Sequence, residues 1–280
     1  MSKNTRRRSS LEAVRIACLA IVAALFIGVP LWLVVVTSMK TQSEAAALSL
    51  DLPRVMNARE NYSMVVANSH YGTSLVNSLI VTVAAELLLF TIGAPAAWAF
   101  ARSRSRGMKV LYSLSIIGVV LPGAAVPMVF LMRLVHLQGS IAALVLFTVG
   151  MRVSLIVFLL TGFARGLPHQ LEEAAYVEGA SKLRAFVSIV LPEMRSVVWT
   201  AFIIVTILIW NDFYGPLFLL SSRNATLPLG LYTLSSGVSQ ATAWNTVFAH
   251  VVLVSLPLIA LYAVIQRRIV DGALAGAMRE

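Results

Sequence analysis

The chain has 280 residues, of which 59% are hydrophobic and 12% charged, with a formal net charge of +10. This is too apolar for a water-soluble globule around one core and indicates a polytopic membrane protein whose immediate surroundings are a lipid bilayer. The basic residues flank apolar stretches, so membrane orientation explains them without nucleic acid; the single Cys18 and four scattered histidines (70, 136, 169 and 250) give no reason to expect a disulfide framework or a metal site.

In chain order, Arg6-Arg7-Arg8 precedes an apolar run over 16–36. As a helix it is about 31 Å long, which matches a bilayer and exceeds a secretory signal core, so it reads as a retained first span. Further apolar runs lie near 75–98, 110–132, 141–162, 197–220 and 247–265, so the expected fold class is an all-α membrane protein with six transmembrane helices in one domain over 1–280. Pro122, Gly123 and Pro127 predict a kinked or unwound third span, tolerable against other helices or a watery cavity. With a cytoplasmic N-terminus, sixteen Lys and Arg fall in inside segments and five in outside ones, which places both termini in the cytoplasm. The segment 37–74 is then the long extracytoplasmic one.

The same charge count puts the polar segment 166–196, between the fourth and fifth spans, in the cytoplasm. Pro168 suits a helix first turn, and Glu172 and Glu173 suit the positive end of its dipole, so a short helix is expected from about 168. Leu171, Ala175 and Gly179 fall four apart and form a small apolar face that a partner's backbone could approach, with Glu173 projecting elsewhere. Gly179 is expected to stop the helix in a left-handed conformation, Ser181 to cap a second one, and Pro192 to discourage further helix before the membrane.

Glu173-Ala174-Ala175, three residues, Gly179, nine residues, then Ile189-Val190-Leu191-Pro192 resembles the EAA loop of permease subunits in bacterial ABC importers. Asn77-Ser78-Leu79-Ile80, Ala99-Phe100-Ala101-Arg102, Trp210-Asn211-Asp212-Phe213 and the tail around Gln266 to Gly272 and Ala275 to Ala277 are similar to the carbohydrate-importer branch, the smaller maltose-type permease subunit being its familiar member. Glu178 departs from the Asp usual before the loop's glycine. The resemblance covers roughly 16–278 and implies a permease half in a bacterial cytoplasmic (inner) membrane. It also implies two ATP-binding subunits, a second and probably different permease chain, and an extracytoplasmic sugar-binding protein. No G-x-x-x-x-G-K-[ST] stretch occurs, so no cofactor is expected in this chain and ATP with Mg belongs to the partners. The chain is accordingly expected not to be an enzyme.

By resemblance, Glu173, Ala174, Ala175, Gly179, Leu191 and Pro192 form the ATPase-coupling loop, and the tail with Gly272 and Gly276 lies against the ATPase pair. Trp210, Asn211 and Asp212 suit a sugar, which stacks on an aromatic ring and hydrogen-bonds to amide and carboxylate; the same polar residues equally suit fastening helices together. Glu86 and Arg152 match no family motif. Each sits mid-span at similar depth, where an unpaired charge costs roughly 2.5–3.5 kcal/mol, so an ion pair or a hydrated pathway is expected. Rival readings are import of glycerol phosphate or another polyol, and, in a different class, an ion-coupled secondary carrier using Glu86.

Overall fold

The computed structural model describes residues 12, 15–68, 70–121, 123–221, 224–235 and 243–277. Among these the chain is helical: α1 Arg15–Ser38, α2 Gln42–Ala45, α3 Ala58–Asn68, α4 Tyr71–Arg102, α5 Arg106–Val120, α6 Ala125–Leu134, α7 Ile141–Gly166, α8 Gln170–Val177, α9 Lys182–Glu193, α10 Arg195–Trp210, α11 Tyr214–Leu219, α12 Leu227–Ser235 and α13 Trp244–Ala277. Four of them, α1, α4, α7 and the Trp244–Gln266 part of α13, are long and apolar enough to cross a membrane, and α9 with α10 is a bent pair that passes the same test together.

The expected third span is two helices, α5 and α6, with non-helical backbone at 121 and at 123–124, the break that Pro122 and Gly123 predict. The expected fifth span is also broken, which was not anticipated. α10 stops at Trp210 and α11 restarts at Tyr214, because Asp212 offers its side chain to the next turn's N–H groups in place of the helical carbonyls.

The fold separates into two compact units whose junctions fall inside or beside helices, where no change of composition marks them. One unit joins residues 1–71 to 231–256. α1 is exposed along nearly all its length, and the segment after it is organised by the fully buried Asn61. The Asn61 amide nitrogen donates to the carbonyls of Ser38 and Lys40, both at 2.8 Å, while its oxygen accepts from Asn57 (3.2 Å) and Asn245 (2.8 Å). One side chain thereby ties the end of α1, α3 and the start of α13. Lys40 is buried too, its ammonium donating to the Ser49 carbonyl at 2.7 Å.

The second unit, 72–230 with 257–280, contains the main core. α4, α7 and α10 meet through Val81, Leu89, Leu144, Ile156, Leu160, Val205 and Ile209. Small residues set the spacing. A Cβ on Gly93 of α4 would lie 2.6 Å from Ile156 Cγ2 on α7, so only glycine permits that approach without a shift. Thr161 of α7 donates to the Ala97 carbonyl at 3.4 Å alongside.

Candidate functional site

The segment between α7 and α10 folds as a helix, a turn and a second helix. α8 begins at Gln170, two residues after Pro168, with the N–H groups of Glu172 and Glu173 both donating to the His169 carbonyl (3.0 and 3.1 Å). It ends in a Schellman arrangement: Ala180 N–H reaches the Ala175 carbonyl at 2.9 Å, Gly179 N–H reaches Tyr176 at 3.0 Å, and Gly179 adopts φ +85°. Ser181 Oγ accepts from Arg184 N–H at 3.3 Å and caps α9, as its position predicts.

The anchor of this loop is Glu172, which the EAA pattern does not single out. Its carboxylate accepts from Arg102 Nε at 2.7 Å on one oxygen and from Trp98 Nε1 at 3.0 Å on the other. Trp98 also lies against the Phe186 ring of α9, with centroids 5.2 Å apart. The C-terminal turns of α4 thus hold both helices of the loop. This anchor decides which face of α8 is free. Ala175, one turn from Glu172, is buried at 5% exposure, so the small stripe expected as the partner's seat is turned inward at its centre. Glu173, Ala174, Glu178 and Gly179 are exposed instead, with Val177 at 89% and Leu183 at 69%. Glu173 makes no ion pair among the described residues. Burial, with Glu172 adding to it and Arg102 opposing, raises the Tyr176 hydroxyl above its ordinary pKa.

Leu191 packs on the edge of the core. Pro192 occupies the first turn of a last short α-helical stretch and does not end the helix; the break falls at the fully buried Met194, where α9 and α10 meet with a bend of 76°. A proline at a first turn loses no hydrogen bond, which is why the chain tolerates it there. Gly272 and Gly276 lie in the last turns of α13, and residues 278–280 fall outside the described residues.

The intramembrane candidates divide. Glu86 is buried, and its carboxyl is 2.5 Å from Thr206 Oγ1 on α10. No ion pair joins it to Arg152, so the expected pairing is not formed; a hydroxyl within reach satisfies the carboxyl where the guanidinium does not. Trp210 is buried at 4% exposure, and exposed Asn211 returns its amide to the Ile207 carbonyl at 2.8 Å. Asp212 Oδ1 accepts from Tyr214 N–H (3.0 Å) and Gly215 N–H (3.2 Å), fixing the break before α11. Trp210 and Asp212 line one small cavity of about 10 Å³ with Ser78, Thr82, Thr148 and Thr226. Irregular backbone beside a polar cavity is the setting in which a broken helix is tolerated at membrane depth. Among these hydroxyl residues the one signal in the sequence is the spacing of four that puts Ser78 and Thr82 on one face of α4.

Among the described residues, apolar helices with broken spans and an exposed helix pair clamped to α4 make this a helical membrane protein. The chain belongs to the family of binding-protein-dependent transport system inner membrane components, whose model matches residues 90–273. It is 27% identical to the probable starch degradation products transport system permease protein AmyC of Thermoanaerobacterium thermosulfurigenes, over 98% of this chain and 100% of that one. It is 29% identical to the diacetylchitobiose uptake system permease protein NgcG of Streptomyces coelicolor, over 93% and 87%. The fold is also that of a chain of a bacterial ABC transporter involved in the import of the acidic polysaccharide alginate, with TM-score 0.79, 19% identity and coverage of 95% and 98%.

Proposed function

We propose that this chain is one permease subunit of an ATP-driven importer that moves a sugar or oligosaccharide across the bacterial cytoplasmic membrane by alternating access. The curated relatives with stated cargoes, among them starch degradation products and diacetylchitobiose, support the cargo class. In this reading six membrane crossings leave both termini in the cytoplasm, with α5–α6 and α10–α11 serving as broken spans. The subunit works with a second permease chain, two ATP-binding subunits and an extracytoplasmic binding protein, and carries no cofactor of its own.

The observation that carries the reading is the exposed edge of α8 held by the Glu172–Arg102–Trp98 clamp. A protrusion exposing Val177 and Leu183 to solvent while its other side is fastened to α4 is suited to a groove on a partner. ATP binding closes the partner pair, the docked loop moves with it, and α4 and α10 follow through the Glu172–Arg102–Trp98 contacts and the α9–α10 junction. ATP acts only through its preference for one of two states. The tail of α13, with Gly272 and Gly276, is placed against the same partners. The test is purification of the tagged chain in detergent with identification of what accompanies it. An ATPase and a second permease are expected; isolation of a chain that concentrates sugar alone, driven by an ion gradient, overturns the reading.

A further inference from the structure

The cavity at the break between α10 and α11 holds polar groups that the helix cap does not use. Ser78 is committed, since its Oγ accepts from Leu227 N–H at 2.9 Å. Thr82, Thr148 and Thr226 are not. They are buried at 7%, 4% and 4% exposure, and among the described residues none of the three hydroxyls makes a hydrogen bond; Thr226 Oγ1 is itself a buried atom with no partner there. The ordinary fate of a helical threonine is a bond to the carbonyl one turn back, as Thr200 makes to Ser196 and Thr206 to Phe202. Thr82 and Thr148 forgo it and face the cavity. Asp212 spends Oδ1 on two backbone N–H groups and leaves Oδ2 without a partner. Buried polar groups are seldom left unmade, and here the buried Thr226 Oγ1 is left unmade, with the Thr82 and Thr148 hydroxyls and Oδ2 of the half-buried Asp212 open around the same void.

Resting on the sugar-permease reading, the geometry points to this cavity as a subsite for a single hydroxyl of a neutral saccharide. Asp212 Oδ2 accepts the O–H, and the Thr148 and Thr226 hydroxyls donate to its oxygen, which matches what a hydroxyl gives and takes. At about 10 Å³ the void has room for about one water, so one hydroxyl enters while the ring stays outside. The carboxylate makes the subsite selective. It repels an acidic sugar such as a uronate, in contrast to the acidic cargo of the alginate transporter that shares the fold.

The test uses the whole importer, assembled from the subunits that purify with this chain and reconstituted with ATP. The probes are labelled maltotriose, raffinose, diacetylchitobiose and an acidic uronate trisaccharide, and the quantity read is sugar delivered per ATP hydrolysed. The T148V/T226V variant is expected to deliver about tenfold less neutral sugar per ATP while ATP turnover is retained, since about tenfold is what one lost net hydrogen bond is worth. Asp212→Asn keeps the cap oxygen but replaces the free acceptor with a donor, and is expected to narrow the neutral-over-acidic preference by a similar factor. Delivery and preference unchanged in both variants, with a raised thermal midpoint in T148V/T226V, makes the hydroxyls merely structural and overturns the subsite. Wild-type delivery that requires sodium assigns the cavity to a cation and also overturns it. A wild-type assembly that moves no probe with ATP fails one step earlier, at the sugar-permease reading.

Discussion

Glu172 and Arg102, seventy residues apart in the chain, meet at 2.7 Å with the two side chains only 7% and 13% exposed. Arg102 Nη1 and Nη2 are buried with no hydrogen-bond partner, so the guanidinium depends on this one contact. Replacing Glu172 with Ala leaves a buried cation unpaired and is expected to cost about 3–5 kcal/mol, whereas replacing both residues with Met is expected to recover most of it. Thermal unfolding of the detergent-solubilised chain, run as a double-mutant cycle, checks this. Additive losses in the double variant speak against a coupled pair.

Gly179 separates fold from docking. Nothing lies within 4 Å of where its Cβ would be, so the local penalty for a side chain is only that of φ +85°, about 1–2 kcal/mol. Gly179→Asp is therefore expected to insert normally and yet lose transport, because the added carboxylate stands on the exposed edge of α8. Membrane fractionation together with an uptake assay tests it, and wild-type uptake in this variant removes the docking role.

For Glu86 the contact with Thr206 predicts a different outcome from an ion pair. Glu86→Ala removes one hydrogen bond while Thr206 keeps its bond to the Phe202 carbonyl, and is expected to destabilise by about 0.5–1.5 kcal/mol. Glu86→Gln and Arg152→Gln should combine additively, to within about 0.5 kcal/mol, since the two residues share no partner. Chemical denaturation of the four variants in a mild detergent provides the measurement; strong coupling restores the ion-pair view.

At Asp212 the cap predicts its own signature. Asp212→Ala removes the acceptor for Tyr214 and Gly215 N–H and is expected to cost about 0.5–2 kcal/mol, while Asp212→Asn is expected to stay near wild-type stability. Gly215→Ala should be worse than either local change suggests. Its Cβ would fall 2.8 Å from Asp212 Oδ2 and 2.9 Å from Phe147 Cε1, so both side chains must shift to admit it. Thermal midpoints rank the three.

Where the sequence was informative, local chemistry settled the structure. Gly179 was expected to be left-handed to stop α8, Ser181 was placed to cap α9, and Pro122 with Gly123 and Pro127 predicted a kinked or unwound third span, which breaks between α5 and α6. These depend on residues a few positions apart. What escaped notice depends on distant ones. Spacing marks Glu173 as the residue of interest and cannot reveal that Glu172 is taken by Arg102 and Trp98, and so cannot tell that Ala175 turns inward. Glu86 and Arg152 at similar depth suggested a pair, but which way each faces is set by helix rotation, and Thr206 was nearer. The break after Trp210 was hidden because Asn211-Asp212-Phe213 lacks the proline that announces one; the unwinding follows from a carboxylate competing for backbone donors.

Under the importer reading proposed above, the 76° elbow at Met194 would work as a crank. A load arriving along α9 meets α10 nearly crosswise, so it turns that helix about its near end where a straight junction would drive it lengthwise. Over 16 residues, about 24 Å, the far end at Trp210 sweeps the widest arc, and a small stroke at the base becomes a large one beside the cavity.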